Sequence, residues 1–442
     1  MINLLNDYKQ ESRDFHQSLI RAGFSYPTFV CQDDGFLPEG VESVYQVWLN
    51  NTKQGEPLYF NEIDVPPYWE ITGTNQAGEI FDYHHKRGQI HYANINESRI
   101  VKQVDWYDEQ GKIRWADGYN KYGLRYKRTI FTKDQRMVTT TYFDSDGQEK
   151  IVYNHHTKTL ILDETDGLQF FQTETDFILY TLQANHIDLT AINYNTLALP
   201  FLVVYNSQAT KVSTLVWQED TVNEIPGNMQ LILNGQTSTK QIIVTNDVYA
   251  NHLRDLIGHS SVVPVIDLGY IYPFKSNKAI INEAIIATNS DQIKFLEEIA
   301  KNLPELKIHV VALTEMSARL TDLDHYENIQ LYPNTNLSKI RSLYERVGWL
   351  LDINQGNEIV NAVRSAFDYQ MVIVGFTDTV HNPAFMYPNL NFSSDQMNDL
   401  IKLLKVSIEN PEVHRKLLNS QKNAANAVNK EDYVKLFDQL EG

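Results

Sequence analysis

The sequence is short of cysteine, of positive charge and of long apolar runs. Its single cysteine, Cys31, has no partner for an internal disulfide and cannot build a zinc site from thiolates. Acidic residues outnumber Lys and Arg, 56 to 38, and the net charge of −18 opposes binding to nucleic acid or to an acidic membrane surface. No eighteen consecutive residues are apolar, so we expect no membrane-spanning helix.

The start of the chain also lacks the features of a signal peptide. Residues 1–7, MINLLND, have neither a basic start nor an apolar run. Together with the single cysteine, this predicts a cytoplasmic location. Peripheral association with the cytosolic face of the cell membrane, through a complex, stays open.

Familiar catalytic and metal-binding motifs are missing. The chain has no Walker phosphate loop, no G-x-G-x-x-G after a strand, no G-x-S-x-G and no H-E-x-x-H. His84, His85 and His91 beside Asp82 could form a metal cluster, but neighbouring residues of a strand face opposite sides of a sheet. We therefore interpret these histidines, and the pair at 155–156, as surface imidazoles, and expect neither a metal nor a cofactor.

The composition is that of a folded chain with more than one domain. It has 442 residues, of which 42% are hydrophobic and 11% aromatic, which suffices for two large domains and an insertion. The pattern predicts an α/β protein with a β-rich insertion. The expected parts are a first Rossmann-like half at 1–44 and 163–250, an inserted β-meander at 45–162, a second Rossmann-like half at 251–394, and C-terminal helices at 395–442.

Apolar spacing supports the two Rossmann-like halves. Residues 4–22 have helical periodicity up to the stop signal Gly23, and a strand is expected near 28–31. In the second half, strands alternate with helical segments, which favours a parallel doubly wound sheet. The expected strands of that sheet are 262–268, 283–287, 306–313, 329–332, 349–353 and 371–375.

The insertion has an internal period of twelve residues. Gly111, Gly123, Gln135 and Gly147 fall at this spacing, and each glycine closes a turn that follows aromatic residues. This predicts an antiparallel meander with one strand per repeat. Its tyrosines and tryptophans could hold the sheet together as cross-strand pairs, or present rings to a ligand or partner.

Two loops of the second half lie where doubly wound folds bind ligands. The loop 268–275 follows the first expected strand, and Lys275 within it could contact a phosphate or simply be solvated. Asn354 and Gln355 lie between a buried strand and a helix start, where backbone amides could bind an anion or sugar hydroxyls. A plain capped loop explains the second segment equally well.

Several stretches resemble one protein family along the whole chain. The stretches are LP at 37–38, VPPYWEI at 65–71, VDW at 104–106, GQE at 147–149, WQE at 217–219, PGNMQLIL at 226–233, LGY at 268–270, ALTEMS at 312–317 and LDIN at 351–354. In these stretches the sequence resembles the non-catalytic stabilising subunits of bacterial accessory-secretion O-GlcNAc transferases, which glycosylate serine-rich-repeat adhesins before export.

This resemblance implies a GT-B-like fold without catalytic residues. Catalytic relatives hold the sugar nucleotide with an Arg and a Lys on the diphosphate and with two glutamates eight positions apart. Here Tyr270 follows the Leu-Gly pair, and Glu358 is followed eight positions later by Ala366. Without these charges, the binding free energy of the sugar nucleotide is weaker by roughly 1.5–3 kcal/mol for each charged hydrogen bond that is lost. We expect a degenerate donor crevice, formed by Tyr270, Lys275, Glu315, Asn354 and Gln355.

The resemblance also implies a catalytic transferase subunit and a Ser/Thr-rich acceptor polypeptide as partners. Trp217, Gln218 and Asn228 are the candidates for contacting the acceptor, which we expect between the two Rossmann-like halves. The meander is expected to contribute to the interface with the transferase, through pairing of sheet edges. Two other functions stay open: an active retaining UDP-GlcNAc-dependent glycosyltransferase with a divergent donor site, and a carbohydrate-binding module acting through the meander.

Overall fold

The computed structural model describes residues 1–49, 55–93, 98–219, 223–258 and 261–441, with side chains up to residue 438. By its internal contacts the chain divides into two compact units. The first unit comprises Met1–Leu268 with Lys430–Gly442, and the second comprises Gly269–Asn429.

The first unit begins with a strand rather than with the expected helix. Its elements up to residue 43 are β1 Ile2–Leu5, α1 Gln10–Ala22, β2 Thr28–Val30 and β3 Val41–Ser43. Every residue of β1 is buried, because the strand lies inside a parallel sheet covered on both faces. A strand buried on both faces has no alternation of apolar and polar residues, so the apolar residues 4 and 5 were assigned to the helix, which in fact begins at Gln10. The helix ends as predicted at Gly23, which has a φ of +106°.

The insertion is a sheet of ten antiparallel strands, each paired with the next in the chain. Gly111, Gly123, Gln135 and Gly147 all have positive φ, between 62° and 79°, so the predicted twelve-residue turn period is confirmed. The strands are β4 Trp69–Gly73, β5 Ala77–Asp82, β6 His85–Tyr92, β7 Val101–Tyr107, β8 Ile113–Tyr119, β9 Arg125–Phe131, β10 Met137–Phe143, β11 Glu149–Asn154, β12 Leu160–Glu164 and β13 Gly167–Phe171. The sheet thus begins and ends later than the expected 45–162.

The first unit then returns to its parallel sheet. The following elements are α2 Glu174–Ala184, β14 Ala191–Tyr194, α3 Leu199–Asn206, β15 Val212–Trp217, α4 Gly227–Leu233, β16 Thr239–Val244, α5 Asp247–Ile257 and β17 Val265–Asp267. The sheet order is β17-β16-β15-β14-β1-β2-β3, a doubly wound arrangement that changes direction between β1 and β14. β17 pairs with β16, whereas the sequence boundary at residue 250 assigned this strand to the second half.

The second unit contains the other parallel sheet, in the order β20-β19-β18-β21-β22-β23. Its direction changes between β18 and β21. The elements are β18 Ile280–Ala287, α6 Leu296–Asn302, β19 Lys307–Val311, α7 Ala318–Thr321, β20 Ile329–Tyr332, α8 Leu337–Tyr344, β21 Val347–Asp352, α9 Ala362–Asp368, β22 Val372–Phe376, β23 Asn391–Phe392, α10 Met397–Glu409 and α11 Pro411–Ala424.

The last helix, α12 Lys430–Glu441, belongs to the first unit. Its Phe437 is fully buried, and the ring lies 6.3 Å from that of Phe15 and 5.8 Å from that of Phe24. The expected α/β fold, with two parallel sheets and an antiparallel insertion, is confirmed. None of the helices in the described ranges is both long and apolar enough to cross a membrane.

Single 3-10 turns complete the described elements. They are Gln46–Trp48, Phe60–Glu62, Asp322–His325, Pro383–Phe385, Pro388–Leu390 and Ser394–Gln396.

Candidate functional site

The carboxyl edge of the first sheet is held by a hydrogen-bonded network at its change of direction. Asn195, directly after β14, is 2% exposed. Its Oδ1 accepts from the backbone N–H of Asn6, 2.7 Å away, and its Nδ2 donates to Ser12 and Gln218, both at 3.0 Å. The network joins the loops that follow β1, β14 and β15, so it fixes the edge at which doubly wound sheets bind ligands.

The three predicted acceptor-binding residues do not share one environment. Gln218 accepts from Ser12 and Asn195 inside the network. Trp217 and Asn228 instead line a pocket of about 420 Å³, together with Glu219. Asn228 Nδ2 donates to the carbonyl of Leu197, 2.8 Å away, and so ties α4 to the loop after β14. The structure therefore brings Trp217 and Asn228 together in one pocket, whereas Gln218 is hydrogen-bonded within the network at the sheet edge.

Sequence reasoning missed a cavity with a volume of about 1050 Å³. We call it the insertion cavity. One wall consists of the loops after β1 and β2 and the start of α1, and the other is one face of β9, β10 and β11. Its lining includes Cys31, Thr129, Thr140, Tyr153, His155 and Glu174. The inserted sheet thus covers the carboxyl edge of the first parallel sheet.

Tyrosines surround one carboxylate in this cavity. Tyr45 donates to Glu174, and its ring stacks on Tyr142 with the centroids 4.4 Å apart. Burial raises the pKa of the Tyr142 hydroxyl, and burial together with nearby Glu174 raises the pKa of Tyr153 to about 12. These phenols stay protonated at neutral pH, so each keeps a hydrogen that it can donate.

The loop after β2 is fixed to the inserted sheet. Tyr126 Oη and Lys127 Nζ each donate to the carbonyl of Asp33, both at 2.9 Å, and Gln46 donates to the carboxylate of the same residue. Burial raises the pKa of the Asp33 carboxyl and lowers that of the Lys127 ammonium. Lys121 adds a bond from Nζ to the carbonyl of Leu37 at 2.7 Å. The two walls of the insertion cavity therefore hold each other in place.

The histidines of the insertion differ from expectation. His84 lies in the β5–β6 turn and His85 starts β6, so their rings are adjacent, 4.2 Å apart, rather than on opposite faces. Both are exposed, as is His156, whereas His155 is half-buried and lines the insertion cavity. His91 pairs with Asp105 at 2.7 Å. In the described part of the chain, no three His, Cys, Asp or Glu residues are grouped to hold a metal ion.

Asn354 lies at the change of direction of the second sheet. It is 2% exposed, and its Oδ1 accepts from Thr288 at 2.8 Å and from the backbone N–H of Gly356 at 2.9 Å. Thr288 follows β18 and Asn354 follows β21, so this pair closes the edge between the two strands. The amide side chain acts here as an internal clamp.

His381 adds a charged clamp to the same edge. Its Nδ1 lies 2.6 Å from Asp352 and its Nε2 lies 2.7 Å from the carbonyl of Gly356. The hydrogen bond to Asp352 outweighs desolvation and raises the pKa of His381 to about 9. The imidazole is therefore protonated at neutral pH and donates from both nitrogens. Neither histidine nor aspartate was predicted, because 29 residues separate them in the sequence.

The five predicted donor-crevice residues are not brought into one crevice. Glu315 lines a pocket of about 360 Å³ beside β18 and β19, and Gln355 lines a neighbouring one of about 270 Å³. Asn354 is buried. Tyr270 is buried too, in a bridge with Ala427. Lys275 lies near the start of β22, where its ammonium stands 4.5 Å over the ring of Tyr369.

The position of Lys275 follows from the strand that precedes it. Because β17 belongs to the first sheet, the segment 268–275 is a connection between units and not the loop after the first strand of the second sheet. It leads to the amino end of β18. The expectation that Lys275 lies in the crevice is therefore wrong, since nucleotide sites of such sheets occupy the carboxyl edge.

The charged residues around α9 are bound within the unit. Glu358 accepts from the backbone N–H of Val363 at 2.8 Å, at the start of the helix. Arg364 pairs with Asp368 at 2.9 Å and stacks over Tyr272 and Phe385. Both charges stabilise the local fold in this structure.

Known sequence families cover nearly the whole chain. The profiles that match are the GtfB N-terminal domain at residues 2–48, the GtfB middle domain at 69–172, the GtfB third domain at 174–256 and the GftB/GlyA-F C-terminal domain at 284–421. The stabilizing protein GtfB of UDP-N-acetylglucosamine--peptide N-acetylglucosaminyltransferase from Streptococcus pneumoniae is 39% identical over 431 residues, 97% of each chain. This chain belongs to the GtfB family.

Other GtfB relatives agree with this assignment. The GtfB stabilizing protein of Streptococcus gordonii is 37% identical over 446 residues, 100% of this chain and 99% of the relative. These relatives are named as stabilizing proteins of the transferase, so the predicted resemblance to the non-catalytic subunit is confirmed.

Solved structures confirm the GT-B-like fold. A chain in the crystal structure of a GtfA/B complex bound to UDP and GlcNAc superposes with a TM-score of 0.94 at 38% identity, over 100% of both chains. The pneumococcal O-GlcNAc transferase GtfA shares the fold at a TM-score of 0.51 and 13% identity, over 99% of this chain and 98% of GtfA.

Proposed function

We propose that this chain is the stabilising, non-catalytic subunit of a protein O-GlcNAc transferase and assembles with a GtfA-like catalytic subunit. The observation that carries the proposal is the end-to-end match to GtfB stabilizing proteins, at 39% identity over 97% of each chain. The superposition on a chain of a GtfA/B complex over full length supports the same partner.

The second unit supports a scaffold without transfer activity. Glu358 accepts a backbone hydrogen bond at the start of α9, Arg364 is paired with Asp368, and Lys275 lies near the amino end of the sheet. A diphosphate needs cations and free amides at the carboxyl edge. We infer that sugar-nucleotide binding by this chain is weak.

The acceptor is proposed to be a Ser/Thr-rich adhesin segment, glycosylated in the cytosol before export and bound by the first unit. Trp217 and Asn228 share a pocket at the carboxyl edge of that unit, which supports them as contacts. Gln218 is proposed to brace the edge through Asn195.

A transfer assay tests which of the two subunits transfers GlcNAc and whether this chain stimulates the other. Labelled GlcNAc is offered as UDP-GlcNAc to a Ser/Thr-rich acceptor with this chain alone, with the GtfA-like subunit alone, and with both. We expect no transfer by this chain alone and strong stimulation of its partner. Transfer by this chain alone would show an active glycosyltransferase with a divergent donor site. No effect on the partner would refute the stabilising role.

The interface with the transferase is proposed to include the free edge of the inserted sheet. On edge strand β13, Leu168 is 57% exposed and Phe170 is 67% exposed, which is unusual for an edge that must avoid aggregation. A partner strand or sheet would cover both side chains.

Paired substitutions test this edge. Leu168→Glu with Phe170→Glu should weaken association with the catalytic subunit about tenfold or more, as removal of a buried aromatic anchor does. Val248→Glu is the matched control, because Val248 is 65% exposed and lies on α5 of the same unit. Equal affinities of the two variants would contradict an interface at β13.

A further inference from the structure

The insertion cavity lies where a doubly wound sheet binds its ligand. One wall is formed by the loops after β1 and β2, at the carboxyl edge of the first sheet. The opposite wall is the inserted sheet, so the insertion turns the exposed edge of the parallel sheet into a two-walled cleft. At about 1050 Å³ the cavity reaches the upper end of the roughly 300–1,000 Å³ of small-molecule sites. It has room for a segment of polypeptide.

The charges of the cavity favour an uncharged ligand. Four basic and four acidic side chains line it. Lys9 pairs with Asp7 at 3.0 Å, and Lys102 lies 3.9 Å from Asp34. A nucleoside diphosphate needs an excess of cations to offset its phosphates. The balanced lining instead suits a ligand that offers hydroxyls and amides.

A chain of exchangeable hydrogen bonds runs along the wall formed by the inserted sheet. The hydroxyls of Thr129 and Thr140 lie 2.9 Å apart, and the Thr140 hydroxyl lies 2.8 Å from His155 Nε2. Burial lowers the pKa of His155, so its neutral ring has one donor and one acceptor nitrogen. Each hydroxyl can either donate or accept, so the chain can bond to serine and threonine hydroxyls in either direction.

We propose that the insertion cavity binds an extended, uncharged, hydroxyl-rich polypeptide segment, with Thr129, Thr140 and His155 contacting its hydroxyls. This inference rests on the proposed function, because it assigns a site to the acceptor. It adds the cavity to the pocket of Trp217 and Asn228 as a second set of acceptor contacts in the first unit.

A double substitution tests the hydroxyl wall in the assembled complex. Thr129→Val with Thr140→Val keeps side-chain shape and removes two hydroxyls. Loss of each ligand hydrogen bond should weaken binding of a fluorescent Ser/Thr-rich peptide about 2- to 10-fold. The control is Thr139→Val with Thr141→Val, since alternate residues of β10 face the other side of the sheet. Affinity for the transferase should be the same in the two double variants, whereas thermal unfolding measures separately what the lost Thr129–Thr140 and Thr140–His155 bonds contribute to stability.

Photo-crosslinking gives a positive readout that does not depend on weakened binding. Met137 lines the cavity and is 52% exposed, whereas Ile130, 43% exposed, pairs with Thr139 on the opposite face. Benzoylphenylalanine at Met137 should crosslink the peptide, and at Ile130 it should not.

The possible outcomes separate this inference from the proposed function. Weaker binding of the Thr129/Thr140 variant together with crosslinking at Met137 supports the cavity as the acceptor site. Unchanged binding, with affinity lost on Trp217→Ala or Asn228→Ala instead, overturns the cavity site while the proposed function stands. No peptide binding by the unmodified complex refutes the acceptor role itself. If free N-acetylglucosamine competes with the peptide for binding and no crosslink forms from position 137, the cavity is a sugar site and the inference is overturned.

Discussion

Gly35, in the β2–β3 loop of the first parallel sheet, contacts the insertion and should tolerate no side chain. It has a φ of +87°, and a Cβ there would lie 2.5 Å from the carbonyl oxygen of Tyr119 and 2.9 Å from Cα of Asn120. Both neighbours are backbone atoms, so neither can rotate away. The carbonyl of Gly35 also accepts from the backbone N–H of Lys121 at 2.9 Å, so the loop cannot withdraw without losing that bond.

Gly40 supplies the matched comparison for Gly35→Ala. Its φ is +80°, nearly the same, but no atom lies within 4 Å of a Cβ added there. Both alanine variants bear the left-handed backbone cost of about 1–2 kcal/mol. Gly35→Ala adds overpacking, at about 1–3 kcal/mol. We expect the free energy of unfolding to fall by about 1–2 kcal/mol in Gly40→Ala and by about 2–5 kcal/mol in Gly35→Ala.

Thermal unfolding of the purified variants, followed by tryptophan fluorescence, measures this difference. For units of 150–250 residues each kcal/mol lowers the melting temperature by roughly 2–4 °C. The Gly35 variant should therefore melt clearly below the Gly40 variant. Equal melting temperatures would show that the loop moves freely away from the insertion, and the argument that the two walls hold each other would fail.

Two further substitutions test the second unit. Folding raises the pKa of His381 from its usual 6.5 to about 9, so its pair with Asp352 stabilises the fold fully below pH 6.5 and loses this contribution as the pH rises through 9. His381→Gln should therefore flatten the pH dependence of the melting temperature between pH 6.5 and 9. An unchanged slope would contradict a stabilising role for this pair. Gln421 is fully buried, donates to the carbonyl of Met371 at 2.8 Å and accepts from the N–H of Ile373 at 2.9 Å. Gln421→Met should cost about 2–6 kcal/mol in urea unfolding by leaving two backbone groups unpaired, whereas exposed Asn423→Leu should change stability by less than about 0.5 kcal/mol.

Local patterns in the sequence predicted local structure well. The turn period of the insertion was visible because each repeat closes on a residue that must adopt positive φ, and such residues recur at fixed spacing. The strands of the second sheet were visible as short apolar runs between helical segments. These features depend on residues that are close together in the chain, so they can be predicted from the sequence.

Features that depend on distant pairing could not be read in this way. No local pattern shows that β17 joins β16 rather than the following strands, and this choice determines which edge of the sheet Lys275 reaches. The insertion cavity likewise combines the loop after β2 with residues of β9 to β11, about a hundred positions later. The proximity of Trp217 and Asn228 was predictable, because Trp217 ends β15 and Asn228 lies at the start of the next helix, α4, at the same edge of the sheet.

The position of α12 has a consequence for the synthesis of the chain. The first unit buries Phe437 between Phe15 and Phe24, so its apolar surface around α1 stays uncovered until residues 430–441 have left the ribosome. The second unit, by contrast, has all its strands and helices once residue 429 is made. The part that is translated first is thus completed last, and until then the nascent chain exposes the aromatic rings of Phe15 and Phe24.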